Sequence, residues 1–175
     1  MDKLNKRLNL AVNLAIIVVL VLIGIVFAKN LLSARSATQH RDYRVPAGSK
    51  ISLPGVDWAS NEETLLLVLE KKCPYCAESA PFYQQLAREA GQKGRIRLMV
   101  VLPQDVSEGK EYLNSLNVPI NEIRQSSLEV LGVKGTPTLI LLNNKGEVMH
   151  SWAGKLPPPQ ETEVLQRIMD QSNNR

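Results

Sequence analysis

A short uninterrupted apolar run, Thr64 to Leu69, leads into Cys73-Pro74-Tyr75-Cys76, then a helical pattern, then a second apolar run from Ile96 to Leu102. This succession leaves few folds open. A brief apolar run without alternation suits a strand buried on both faces. Phe82, Tyr83, Leu86, Ala87 and Ala90 recur at helical spacing, so Cys76 to Ala90 reads as a helix, which Gly91 and Gly94 would end. Strand, helix, strand at this length is a βαβ unit, with parallel strands and a right-handed crossover.

The remaining pattern extends the same sheet. Ser107 to Leu116 and Ser126 to Leu131 suggest two short helices, and Thr138 to Leu142 a third buried strand. Asn143-Asn144-Lys145-Gly146 marks a turn into a strand at Glu147 to Trp152, making an antiparallel hairpin. Pro157-Pro158-Pro159 pre-sets a last helix, with Val164, Leu165, Ile168 and Met169 on one stripe. The expected class is α/β, a central mixed sheet flanked by helices on both faces.

The N-terminal part has a different character. Leu10 to Ala28 carries no charge. As a helix it would be roughly 28 Å long, close to the thickness of a bilayer's hydrocarbon core. That exceeds the apolar stretch of a cleaved signal peptide, so the reading is a retained signal-anchor, a single transmembrane helix. Residues 1–9 form a short leading segment, 29–44 a polar linker, and 45–175 the globular domain. Lys3, Lys6 and Arg7 precede the span, and Lys29, Arg35, Arg41 and Arg44 follow it, so basic residues alone do not orient it. The short leading segment is easier to leave in the cytoplasm than to export. This places the domain outside the cytoplasm, on the periplasmic side of a single-pass membrane protein.

Charge narrows the partners. Twenty-one basic residues against 17 acidic give +4, with no long basic block. Nucleic acid is therefore not an expected partner. With only two cysteines, the chain is no disulfide-stapled scaffold.

Those two cysteines sit between the first core strand and the first helix. A helix start presents unpaired N–H groups and the positive end of the dipole, and both favour thiolate over thiol. Lys71 and Lys72 add positive charge. Cys73 is placed to attack, and Cys76, one turn in, to resolve the mixed disulfide. Other readings of the pair are a structural disulfide, which would close too small a loop to stabilise much, and half of a zinc site. The only imidazoles, His40 and His150, are not at ligand spacing for zinc. A C-x-x-C beside a βαβ pattern points to thiol redox chemistry.

Taken together, residues 45–175 resemble the thioredoxin-like superfamily. Cys73-Pro74-Tyr75-Cys76 has the form of its active site. Pro81 falls where its first long helix is kinked, Gly135-Thr136-Pro137-Thr138 looks like its cis-proline loop, and Trp152-Ala153-Gly154 closes the hairpin as its terminal glycine does. The anchor, the segment 104–131 and Leu53-Pro54-Gly55-Val56-Asp57 are most similar to membrane-anchored thiol-disulfide oxidoreductases of the TlpA and ResA kind, with a redoxin domain. The resemblance implies an enzyme exchanging disulfides with protein substrates, with Cys73 and Cys76 catalytic. Thr136, Pro137, Pro74 and Tyr75 would contact substrate, and Lys71, Lys72 and Pro81 would support the site. It implies no metal and no cofactor beyond the redox-active Cys73–Cys76 disulfide. Its partners would be protein thiols or disulfides and a membrane or soluble thiol electron partner, and its role cell redox homeostasis.

There are departures. The family's buried acid would fall at Leu67, and the acid of the closest group at Ser79. Glu70, Glu78 and Glu122 are the carboxylates in the vicinity, and Lys72 stands where a tryptophan often precedes the first cysteine. Two other functions compete. A peroxiredoxin-like thiol peroxidase would want a Thr and a Pro where Glu70 and Leu66 stand. A copper-binding assembly factor would use both thiols and His150, but its cysteines are usually separated by three residues.

Overall fold

The computed structural model describes residues 16–25, 43–93 and 96–170. The chain divides into two units, Met1–Asp42 and Tyr43–Arg175. In the first, residues 16–25 are helical, with large apolar side chains about half exposed. The rest of the expected 10–28 span, the leading segment 1–9 and residues 29–42 of the expected linker lie outside the described residues. Among the described residues, no helix is long and apolar enough to cross a membrane.

The second unit is built on a five-stranded sheet. Its strands are β1 (Glu63–Val68), β2 (Ile96–Leu102), β3 (Ile123–Gln125), β4 (Thr138–Asn143) and β5 (Val148–Ala153). The order across the sheet is β3-β2-β1-β4-β5. β1 and β2 run parallel with Leu65 opposite Leu98, and β2 and β3 are also parallel. β4 runs antiparallel to both β1 and β5. β1 is the central strand, and Leu65, Leu66, Leu67 and Val68 are buried on both faces. Burying each such side chain contributes about 1.5–3 kcal/mol, which is why the run is continuous rather than alternating.

Four helices complete the unit: α1 (Pro74–Glu78), α2 (Ala80–Lys93), α3 (Val106–Ser115) and α4 (Pro158–Asp170). The expected single helix from Cys76 to Ala90 is thus two. Ser79 breaks it, with its hydroxyl donating to Tyr75 O at 2.8 Å, a local bond that competes with the helical ladder. Pro81 has no N–H to return to the preceding turn, so the ladder cannot run through the junction.

The flanking layers also differ from expectation. Tyr83 and Leu86 of α2, Tyr112 and Leu113 of α3, and Val164, Leu165 and Ile168 of α4 join one core with Leu65, Leu67, Val100, Leu139 and Leu141. α2, α3 and α4 therefore lie on one face. β1-α2-β2 and β2-α3-β3 are successive crossovers stepping the same way, and a fixed right hand puts both helices on one side. The opposite face, with Leu66, Val68, Met99, Val101, Ile140 and Leu142, is covered by Val45, Ile51, Leu53, Leu131 and Val133 from non-helical segments.

The helix expected at Ser126 to Leu131 is absent. There Leu128 O accepts from Leu131 N and Val133 N, and Gly132 takes a positive φ of 65°. This tight turn drives Leu131 and Val133 into the second core. Before it lies the three-residue β3, too short to show an alternation in the sequence.

Candidate active site

The site forms where β1 ends. Leu69 N donates to Val101 O and keeps the chain on the sheet, and Cys73 N then donates to Glu70 O at 3.1 Å to close a turn. Cys73 becomes the N-cap of α1, and Pro74 occupies the first helical position, where its missing N–H is no loss. Cys73 Sγ accepts the N–H of Cys76 at 3.3 Å. On its other side the Cys73 thiol donates to Thr136 O at 3.2 Å. The sulfur is therefore held between a backbone donor and a backbone acceptor.

The acceptor belongs to the loop entering β4. The Thr136–Pro137 peptide is cis. Thr138 Oγ1 donates to Gly135 O at 2.8 Å, and Gly154 N donates to Pro137 O at 2.7 Å. Gly154 does so at φ +80°, a conformation that favours glycine. Pro137 is buried and Thr136 is half-buried.

Both cysteines are free thiols in this structure, Cys73 partly exposed and Cys76 fully buried. Burial, and then the hydrogen bond with Cys73, push Cys76 up to about 12. Cys76 thus rests as a neutral thiol, and Cys73 is the sulfur that solvent and substrate can reach.

Around this pair the expected residues divide. Pro74 and Tyr75 are exposed at the rim, Tyr75 at 56%. Lys72 is exposed, while Lys71 Nζ lies 3.4 Å from Glu108 of α3 and its charge is shared there. Pro81 sits exposed at the α1–α2 break and touches neither sulfur by hydrogen bond. Glu78 pairs with Lys155 at 2.7 Å. Glu122 is held by Arg97, whose Nε donates to it at 2.7 Å, and by Arg124. Leu67 and Ser79 are buried, as their positions under the site require.

His150 lies elsewhere, its ring 4.4 Å from that of Trp152 and its Nε2 3.9 Å from Glu163. Burial, then Arg167, lower its affinity for a proton. Among the described residues no three His, Cys, Asp or Glu side chains gather as a metal would need, so His150 and the two thiols do not form one ligand set.

Two neighbours were not expected as site residues. Tyr83 and Tyr112 pack in the same core as Cys76, and each is pushed up by burial and then by charge on Cys76. Tyr83 shows in the sequence as one position of an apolar helical stripe, with nothing to mark its hydroxyl. Tyr43 also approaches the site, its ring edge 3.8 Å from where a Cβ on Gly135 would stand.

Comparison with known proteins now bears on this geometry. Residues 58–168 match a family described as a thioredoxin-like domain. The chain belongs to that family. The thioredoxin-like match spans every strand but the first residues of the unit, and both halves of the site.

Solved structures with the same fold include a protein assigned as the thiol:disulfide interchange protein DsbE from Chlorobium tepidum. It is 19% identical with a TM-score of 0.55, covering 73% of this chain and 96% of that one. A thiol:disulfide interchange protein from Bacteroides sp. is 16% identical with a TM-score of 0.53, covering 75% and 91%. A thiol-disulfide isomerase from Corynebacterium glutamicum is 15% identical with a TM-score of 0.52, covering 71% and 91%. At such identities the likeness is one of fold. A search of curated proteins gave no match.

Proposed function

We propose that this chain is a thiol-disulfide oxidoreductase that exchanges disulfides with protein substrates through Cys73 and Cys76. The observation that carries the reading is Cys73 Sγ, half exposed at the end of the central strand, between Cys76 N–H and Thr136 O. Cys73 attacks a substrate disulfide and forms a mixed disulfide. Cys76 then loses its proton and attacks Cys73 Sγ, and the departing substrate sulfur takes up a proton. An extended substrate lies along Gly135-Thr136-Pro137, where free backbone can pair with it as an added strand, and against Pro74 and Tyr75. The chemistry needs no metal or organic cofactor, because the electron pair resides in the Cys73–Cys76 disulfide.

We further place the enzyme among anchored oxidoreductases of the TlpA and ResA kind, held by a helix over 10–28 with its catalytic domain outside the cytoplasm. The uncharged apolar run and its flanking basic residues support this. The reducing or oxidising partner is then a membrane or soluble thiol protein on that side. Protease added to intact spheroplasts should digest the domain. Protection until lysis would reverse the topology.

Exchange itself is tested by mixing reduced protein with a disulfide-bonded test protein and counting free thiols. One substrate disulfide should be lost for each Cys73–Cys76 pair oxidised. Absence of exchange in either direction would reject the function. The midpoint potential then sets direction: about −270 mV marks a reductant and about −120 mV a disulfide donor.

A further inference from the structure

Three buried hydrogen-bond donors in the core that holds Cys76 lack an acceptor: Tyr83 Oη, Tyr112 Oη and Trp152 Nε1. All three residues are more than nine-tenths buried. Unpaired buried donors lower stability and are uncommon in folded proteins, so three in one core call for a reason. Trp152 faces His150 and Arg167, with Arg167 5.9 Å from its ring centre. The two phenols belong to α2 and α3, which are fastened together by Gln84 Nε2 donating to Leu116 O at 2.8 Å.

The strand side of this core offers Leu65, Leu67 and Leu69. Glu78 and Glu122 are held by Lys155 and Arg97. From α2 and α3, Tyr83 and Tyr112 are the titratable groups facing the pair, and from α1, Cys73 is. Charge on Cys76 is felt at both phenols, and both resist ionisation, so they stay donors wherever the protein is folded. Ser79 is buried beside Tyr83, and its hydroxyl donates to Tyr75 O, which leaves its oxygen as an acceptor.

We propose that Tyr83 and Tyr112 are the donors that stabilise the Cys76 thiolate while the mixed disulfide is resolved, in a site that has no buried carboxylate. This rests on Cys73 and Cys76 being a redox couple. In the resting dithiol Cys76 is neutral and neither phenol bonds it. During resolution the Cys76 S–H bond breaks and a bond forms between Cys76 Sγ and Cys73 Sγ. The Cys73–substrate bond then breaks, and its electron pair stays on the substrate sulfur, which is protonated. Between those events negative charge lies in an apolar core, where a phenol O–H aimed at it is worth more than in water.

The test uses Tyr83→Phe, Tyr112→Phe and the double variant, which remove only the hydroxyls. Reduced protein is mixed with excess oxidised glutathione, and the glutathione–Cys73 mixed disulfide is followed by rapid quench and mass measurement. Its formation should keep the wild-type rate. Its collapse should slow by about ten-fold in the double variant, the order given by a hydrogen bond to a charged group, and its pH profile should move to higher pH. Tm should hold or rise, since an unpaired buried hydroxyl is lost. Collapse at the wild-type rate and pH profile would overturn the proposal, as would a slowing matched by formation and accompanied by a lower Tm. If wild-type protein forms no mixed disulfide at all, it is the redox reading that fails.

Discussion

The thiol of Cys73 donates to the carbonyl oxygen of Thr136 at 3.2 Å, across 63 residues of sequence. The bond joins the first and second halves of the domain at one sulfur. β1 delivers Cys73 upward, β4 starts beside it running the other way, and Val68 pairs with Thr138 at the top of both strands. Antiparallel pairing of these two strands is what brings the C-x-x-C and the Gly135–Pro137 loop to one edge.

Division of labour between the sulfurs follows from their burial. In Cys76→Ser, substrate adducts should accumulate on Cys73, because the internal thiol that normally releases them at high effective concentration is gone. Cys73→Ser should trap far less and lose exchange. Non-reducing gels of tagged variants distinguish the two. Adducts captured by Cys73→Ser would show that the nucleophile has been assigned backwards.

Alkaline stability should report the buried thiol. Unfolded Cys76 ionises near 9.0, and in the fold it waits until about 12. Tyr112 moves from 10.0 to about 12 for the same first cause, burial. In that window the unfolded chain has released protons that the folded chain retains. The stabilisation is thus complete below pH 9.0 and falls as pH rises toward about 12. Urea midpoints of the reduced protein should drop between about pH 8 and about pH 10, and Cys76→Ala should flatten the slope. A pH-independent midpoint would contradict the burial argument.

Glu63 begins β1 with one carboxylate oxygen buried and unpartnered. Burial first, and Glu62 second, raise its proton affinity. A raised value gives stability that is present in acid and lost as pH rises, so ionised Glu63 strains the fold at neutral pH. Glu63→Met should raise the unfolding free energy near neutrality by about 1–3 kcal/mol, the usual cost of an unsatisfied buried polar group. That gain should shrink in acid. Equal effects at both pH values would place the benefit in packing alone.

Gly146 closes the β4–β5 turn at φ +75°, and a Cβ there would stand 2.7 Å from the Trp58 ring and 3.1 Å from Ile51 O. Gly146→Ala should cost about 1–3 kcal/mol through overpacking and backbone strain. It should leave thiol exchange per folded molecule unchanged, since the turn lies at the far end of β4 from Thr138. Calorimetry with an exchange assay at low temperature measures both.

Much of this protein is written locally in its chain. The continuous apolar runs at β1, β2 and β4 identify buried strands because burial on both faces removes alternation. Asn143 to Gly146 identifies a hairpin because only certain residues accept its backbone. Cys73, Pro74 and Cys76 identify a redox pair because their spacing and their place before a helix are local facts. What the tertiary structure alone decided is which distant groups meet. The break at Ser79 is a competition between side-chain and ladder hydrogen bonds, and an apolar stripe of unchanged period hides it. The three residues of β3 form a strand because β2 offers an edge, not because of their own pattern. All of α2, α3 and α4 lie on one face because crossover handedness acts on strand order, which the sequence does not print. The hydroxyls of Tyr83 and Tyr112 face the Cys76 core for the same reason: a tyrosine in a stripe is simply apolar until packing decides what its oxygen is left beside.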